Sequence, residues 1–507
     1  MASINVIEIF ISLAFICACD AKRVLMLSFP GGGHIAQTGV LGKLLMSHNH
    51  DVYMLIEKSM SRRPEIKASG MNTILYDVGE LDTTLSMRSA MLGDAAVGSH
   101  MKNQINTECI KILYDEEIQA KIKSLKFDLA VVDGFAICRY LIPKKHGIPF
   151  ITFAGLVYPW LSPGLTPIIS GLTCLSGPNH RSMSDRFRHF QAYIEALHDP
   201  FTLLDEAPLL DYLPGQKLKT LLDLSKEAML TLVVHVPVLD CPIVMPPNMI
   251  NVAGISRVTA KPLTGQFKQF MDAATQGAII VSFGSQADAD FPADVAEKFI
   301  DAFGRLEQQV FWRLDNSKFN LKVSDNVHLS KWLPQKGLLA HKNAKVFITH
   351  CGQNGQVEAF YNGVPMLGFP LFGDQPYNAH RTVVQGFGLQ MDINHFTADE
   401  LHRNLVELIS NPSYSKTIKA AAIRAKNIPG DPSKLAIDWI HHVMEYGGEH
   451  LKSPLSYLSI SELYMLDIMG AVIISILMLL AVVIYSTVRI VKYLNRKKLK
   501  NKKIKSK

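Results

Sequence analysis

The stretch AKVFITHCGQNGQVEAFYN, Ala344–Asn362, decides the fold. AKVFIT is a short apolar run rich in β-formers, and QVEAFYN carries helix formers and stops at Gly363, a residue that ends helices by entering the left-handed region easily. Between them stand a histidine, two glycines and side-chain amides. The pattern predicts a strand, a tight loop and a helix. Such a loop leaves backbone N–H groups unpaired at a helix N-terminus, where the helix dipole adds partial positive charge and glycine permits close approach. An anion, in particular a phosphate, belongs there.

Outward from this unit the same alternation recurs. GAIIVSFGS, QVFWRL, NVHLSKWLPQ and VPMLGFP read as further strands separated by helical stretches, predicting a doubly wound domain over 246–450. Upstream, KRVLMLSF, the glycine turn PGGGHI, the helix QTGVLGKLLMSH and the strand DVYMLI form a βαβ unit. FDLAVVD, GFAICRYLIPKKHG and IPFITFAG repeat it, so a first doubly wound domain is expected over 20–245. PPNMINVAGI, Pro246–Ile255, reads as the linker. Two such domains facing each other bring both sets of strand C-termini to one cleft, the place where open α/β sheets bind ligands. The segment from Tyr158 to Asp240, with more Pro, Met and His and weaker periodicity, is expected to supply variable, ligand-facing loops.

The chain of 507 residues, 48% of them hydrophobic, is long enough for about two to three domain cores. Two terminal attachments stand apart. The first, 1–19, has an apolar stretch from Ile9 to Ile16 followed by small residues and reads as a signal peptide, although it carries Glu8 and no Lys or Arg. The second is the uninterrupted apolar run Ile468–Val488, of transmembrane length. The tail 489–507 holds ten Lys or Arg and no acid, so the positive-inside rule orients the chain as a single-pass type I membrane protein with its large part lumenal. Without that tail 42 basic groups face 45 acidic ones, and the formal +7 therefore reflects topology and gives no reason to expect nucleic acid. KIKSK at the end resembles a dilysine signal for endoplasmic reticulum residence, through Lys503 and Lys505. Of seven cysteines, five lie beyond the signal (Cys109, Cys138, Cys174, Cys241, Cys351), odd in number and widely spaced, so neither a disulfide framework nor a zinc site is expected. No N-x-S/T sequon occurs with x other than Pro.

From Trp332 to Asn378, WLPQKGLLAHKNAKVFITHCGQNGQVEAFYNGVPMLGFPLFGDQPYN resembles the signature of the UDP-glycosyltransferases that include animal UDP-glucuronosyltransferases and plant glycosyltransferases. With the signal, the N-terminal glycine-histidine turn and the C-terminal anchor, the resemblance spans essentially the whole chain. It points to the animal, membrane-bound branch, with DQPYN closer to invertebrate members. It implies a GT-B fold: two doubly wound Rossmann-like domains facing a cleft, the first binding acceptor and the second UDP-sugar, plus one C-terminal transmembrane helix. On this resemblance, Trp332 stacks on uracil, Gln335 contacts the nucleoside and Glu358 accepts from the ribose hydroxyls. His350 and the N–H groups of Gly352, Gln353, Asn354 and Gly355, with Ser285, hold the diphosphate and stabilise charge growing on departing UDP. Asp374 and Gln375 grip the sugar hydroxyls. His34 in PGGGH is the matching base toward an acceptor hydroxyl, and Asp133 its orienting partner. Attack opposite the leaving UDP inverts the anomeric centre; no metal and no cofactor is implied, UDP-sugar being a co-substrate.

One departure is Gly355, where the family usually has serine; a hydroxyl contact worth about 1 kcal/mol would be missing and donor binding weaker. The donor sugar is open between glucose and glucuronate, since spacing identifies no cation for a hexuronate carboxylate. Blander readings stand beside these. Among eighteen histidines His34 alone signals little, Asp133 could merely cap a helix, and Cys351 reads as packing. GGGHIA, with Glu57 closing the next strand, also fits the dinucleotide fingerprint of a nicotinamide or flavin enzyme. A non-catalytic lumenal binding protein on the same fold is the other alternative. The reading adopted is an inverting transferase of the endoplasmic reticulum membrane, moving a hexose or hexuronate to small lipophilic hydroxyl acceptors such as phenols, steroids or xenobiotics, with homo- or hetero-oligomers left open.

Overall fold

The computed structural model describes residues 21–505 except 63, 68, 80–93, 157–182, 184–186, 188–203, 214, 216–217, 219, 241, 244, 256–259, 261, 285–290, 319–320, 454–457, 459 and 464. The expected signal peptide, Ser285, Cys174, Cys241 and much of the stretch 158–240 lie outside the described residues.

Fully buried apolar strands such as LAVVD, FITFA and AIIVS are what a parallel sheet covered on both faces requires, and each buried Ile, Val or Leu contributes about 1.5–3 kcal/mol. The chain builds two such sheets. The first orders its seven parallel strands 3-2-1-4-5-6-7: β1 (Arg23–Leu27), β2 (Asp51–Glu57), β3 (Asn72–Tyr76), β4 (Leu129–Asp133), β5 (Phe150–Ala154), β6 (Thr231–Val233) and β7 (Met249–Asn251). The second orders six parallel strands 10-9-8-11-12-13: β8 (Ala278–Ser282), β9 (Gln309–Arg313), β10 (Val327–Ser330), β11 (Ala344–Thr349), β12 (Met366–Gly368) and β13 (Gly388–Gln390). Strand order therefore reverses between β1 and β4 in one sheet and between β8 and β11 in the other, and an open α/β sheet leaves its ligand crevice at such points.

Four details depart from the sequence reading. Met249–Asn251, inside the stretch read as linker, pairs with β6 as an edge strand of the first sheet. Helix α1 runs Gly32–Ser47, so most of the expected glycine turn is already its first turn and His34 sits on it, with Ile35 N–H donating to Gly31 O. The C-terminal end of the second half also returns to the first: in the helix Pro432–Tyr446, Ile437 and Ile440 join Val24 and Met26 of β1 and Phe347 of β11 in one apolar core, and His441 Nε2 lies 2.8 Å from His50 Nε2. Finally, Cys109 and Cys138 form a disulfide, where the cysteine spacing indicated no disulfide framework. Spacing could not reveal it, because only the fold brings the helix Asp94–Tyr114 against the 3-10 turn Ile137–Tyr140.

Residues 453–507 form a separate unit. Its helix Leu466–Lys505 is long and apolar enough, by length and composition, to cross a membrane, and it continues past Val488 through the basic tail.

Candidate active site

At the first switch point, β1 ends at Leu27 and leads through Ser28–Gly31 to His34, while β4 ends on Asp133. His34 Nδ1 and Asp133 Oδ2 are 2.9 Å apart. The carboxylate is 6% exposed at its side chain and the imidazole 27%, so the acid is enclosed and the ring reaches the cleft. Asp133 Oδ1 accepts from Phe135 N–H at 2.9 Å, and its other oxygen from Phe29 N–H at 3.4 Å. The turn-capping role and the histidine-orienting role thus use different oxygens of one carboxylate. With Asp133 accepting, Nδ1 carries the hydrogen and Nε2 keeps its lone pair for the cleft. Burial depresses the His34 pKa, but the charge and hydrogen bond of Asp133, helped by the charge of Asp374, outweigh it and leave the value raised.

At the second switch point, β11 ends at Thr349 and helix α2 runs Gln353–Asn362, closing at Gly363 in the left-handed region (φ 66°) as the sequence predicted. The intervening turn places Cys351 at φ 66°, an unfavourable conformation for a residue with a Cβ. Its thiol is buried and its pKa pushed up to about 12 by burial, which makes it a packing residue as expected. His350 is wedged between glycines: a Cβ on Gly284 would lie 2.9 Å from its Cε1 and Nε2, and one on Gly352 only 2.5 Å from Nε2. Burial pulls the His350 pKa down to about 4, so the ring is neutral at neutral pH. Gly352→Ala should therefore displace His350 and weaken binding of UDP at least tenfold, measurable by calorimetry; unchanged affinity would remove His350 and its loop from the donor site.

The two helix N-termini confront each other across the cleft. Asn354, on the first turn of α2, donates from Nδ2 to Gly33 O at 2.9 Å and accepts from Gln37 Nε2 at 2.6 Å. Its side chain ties the halves together and leaves the backbone N–H groups of the turn for an anion. Gly355 faces the sheet: a Cβ there would stand 3.3 Å from Phe347 Cε1 and 3.7 Å from Thr349 Oγ1, so a serine would crowd β11.

Trp332 is 54% exposed and offers a free ring face near the start of helix Gln335–Ala340. Gln335 Nε2 donates to Glu358 Oε2 at 2.7 Å, with Lys336 Nζ 3.7 Å from the other oxygen. Burial raises the Glu358 pKa, partly offset by Lys336 and the Gln335 bond. Asp374 precedes helix α3 (Gln375–Val384); burial raises its pKa against the hydrogen bond from Asn378 Nδ2 and the charges of Arg381 and His34. The side-chain amides of Gln375 and Gln353 are engaged within the protein. Gln375 Oε1 accepts from Leu371 N–H at 2.9 Å and Phe372 N–H at 3.2 Å, holding its own loop, and Gln353 Oε1 accepts from Arg381 Nη2.

Arg381 is what sequence reasoning missed. Fully buried, it donates to Gln353 and Gln356 of α2 and to Asp240 Oδ1, which comes from the first half and accepts Val236 N–H with its other oxygen. One guanidinium thus fixes helix α2 to the crossing between sheets. A small open recess lies against the first half, lined by Phe29, Pro30, Phe135, Glu108 and Arg139 among others. Phe29 and Phe135 stand with ring centroids 5.0 and 5.8 Å from that of His34. Among the described residues no three His, Cys, Asp or Glu side chains converge as a metal site.

Residues 66–505 match the family model described as "UDP-glucoronosyl and UDP-glucosyl transferase". UDP-glucuronosyltransferase 3A1 of Bos taurus is 26% identical over 468 residues, covering 89% of this chain and 90% of its own. UDP-glucuronosyltransferase 1A8 of Rattus norvegicus is 30% identical over 382 residues, 72% of this chain and 70% of its own. Among solved structures, the glycotransferase of kitacinnamycin superposes with TM-score 0.59 at 20% identity, covering 83% of this chain and 99% of that one. Glycosyltransferase VinC in complex with DTDP gives 0.57 at 17%, covering 84% and 100%. The two facing parallel sheets are therefore a GT-B fold, and the chain belongs to the UDP-glucuronosyl and UDP-glucosyl transferase family as a UDP-glycosyltransferase.

Proposed function

We propose that the protein transfers glucose or glucuronate from UDP to a hydroxyl of a small lipophilic acceptor with inversion, using His34 as general base. The observation that carries this reading is the His34–Asp133 pair, whose free Nε2 opens to the cleft opposite the glycine turn of α2. Nε2 takes the proton as the acceptor oxygen attacks the anomeric carbon, and Asp133 stabilises the imidazolium that forms. On the other wall, N–H groups from Gly352 to Gly355, with His350, receive the diphosphate as its charge grows, a task the resemblance also gives to Ser285. Trp332 stacks on the base, Gln335 and Glu358 hold the nucleoside, and Asp374, with Gln375 bracing its loop, grips the sugar. Residues 20–245 then serve the acceptor and 246–450 the donor.

The names of the relatives support glucuronate as donor. Glucose is supported by Arg381, a cation acting on Asp374 yet wholly committed to Asp240 and the α2 amides, and so not free for a hexuronate carboxylate. The dinucleotide reading loses support at Glu57, whose carboxylate accepts from Ser59 N–H and Met60 N–H of its own loop. A type I topology in the endoplasmic reticulum membrane, large part lumenal, is supported by the apolar helix, the basic tail and a disulfide suited to an oxidising compartment.

The test is UDP release by the detergent-solubilised full chain given UDP-glucose, UDP-glucuronate, UDP-galactose, UDP-xylose or UDP-N-acetylglucosamine with phenols and steroids. Acceptor-dependent release with glucose or glucuronate is expected. UDP binding without release under any pairing would favour a non-catalytic binding protein.

A further inference from the structure

The recess beside His34 has one charged wall. Glu108 and Arg139 both line it, although they are 5% and 3% exposed. Their mutual bonds use one atom of each: Glu108 Oε1 accepts from Arg139 Nη2 and from Tyr76 Oη–H, and Arg139 Nη2 also donates to Tyr76 Oη at 2.8 Å. Glu108 Oε2 and Arg139 Nε and Nη1 have no protein partner among the described residues. Removing an ion pair from water is costly, and apolar residues would make a cheaper wall if only shape were needed. The pair is also held in place covalently, since Cys109 and Cys138, the sequence neighbours of Glu108 and Arg139, are disulfide-bonded. Phe29 and Phe135, which line the same recess, have ring centroids 5.0 and 5.8 Å from that of His34.

We propose that the Glu108–Arg139 pair is the specificity-determining wall of the acceptor subsite, selecting aromatic acceptors that carry a second hydroxyl across the ring system from the one glycosylated. This rests on the transferase reading above. A hydroxyl both donates and accepts, so it bonds the second carboxylate oxygen and a further guanidinium N–H together. An acceptor apolar at that end strips water from both groups and replaces nothing, and one bearing a carboxylate there meets the Glu108 charge. The aromatic walls receive the ring system while the near hydroxyl reaches His34.

The experiment compares 4-hydroxybiphenyl with 4,4′-dihydroxybiphenyl, and 2-naphthol with 2,6-dihydroxynaphthalene, on the full-length protein in detergent. KM and kcat are measured with whichever UDP-sugar releases UDP, and acceptor affinity is measured separately by calorimetry with UDP bound. The wild type is expected to favour at least one diol by tenfold or more, chiefly in KM and in affinity. Glu108→Gln should bring that ratio to about one, and Tyr76→Phe, which removes one bond to the same oxygen and keeps the charge pair, should preserve it. Equal affinities for diol and mono-ol in the wild type, or a preference that survives Glu108→Gln, overturn the proposal. If no pairing releases UDP, the transferase reading fails, and the calorimetric ratio still decides this one.

Discussion

His34→Ala should lower sugar transfer by about 10²–10⁴-fold while leaving UDP affinity within about twofold of wild type. The proposed base belongs to the first sheet's switch point and the proposed diphosphate contacts belong to the second, so the two functions separate. The pH profile adds a second reading. The His34 pKa is raised because Asp133 and Asp374 together outweigh burial, and the free imidazole is the working form. Transfer should therefore climb with pH through a value above 6.5 and plateau beyond it. In Asp133→Asn the charge and the charged hydrogen bond are gone and burial remains, so the acid limb should move to lower pH. The rate should fall all the same, because an amide no longer fixes the tautomer or stabilises the imidazolium. A mutant at His34 with near-normal turnover, or an acid limb that ignores Asp133, would remove the base assignment.

Arg381→Met should cost about 3–5 kcal/mol, lowering the thermal midpoint by roughly 10 °C, because it strands a buried Asp240 carboxylate. The same change releases Gln353 and Gln356, so the first turn of α2 loses the anchor that holds it beneath the proposed phosphate position. UDP affinity should drop together with stability. Arg381→Met combined with Asp240→Leu removes both charges and should recover much of the stability, since a buried ion pair is often replaceable by apolar groups of similar size. It should recover much less of the UDP affinity, because neither replacement bonds the α2 amides. Calorimetry and thermal unfolding of the three variants in detergent check both statements; recovery of affinity together with stability would show that the amides need no anchor.

What could be read in the sequence was local. The run from Ala344 to Gly363 has its apolar stretch, its glycines and its terminating residue within one short window, and the structure follows it closely. The histidine and aspartate that meet at the first switch point, 99 residues apart, were found through resemblance, because periodicity says which strands exist and little about which ends adjoin. Arg381 and Asp240 lie 141 residues apart, and nothing in PLFGDQPYNAHR marks its last residue as buried. The orientations of the Gln353 and Gln375 side chains are set by partners, Arg381 and the Leu371–Phe372 backbone, that only packing supplies. The disulfide and the recess share that cause, since both depend on how the helix Asp94–Tyr114 docks.

The central claim is direct displacement of UDP by an acceptor oxygen that His34 deprotonates. It is tested most directly by proton NMR of the product formed from α-linked UDP-glucose or UDP-glucuronate and a simple phenol, read at the anomeric coupling. A β-glycoside, formed by the wild type and absent with His34→Ala, is the result expected. An α-glycoside would require a different mechanism and contradict the account.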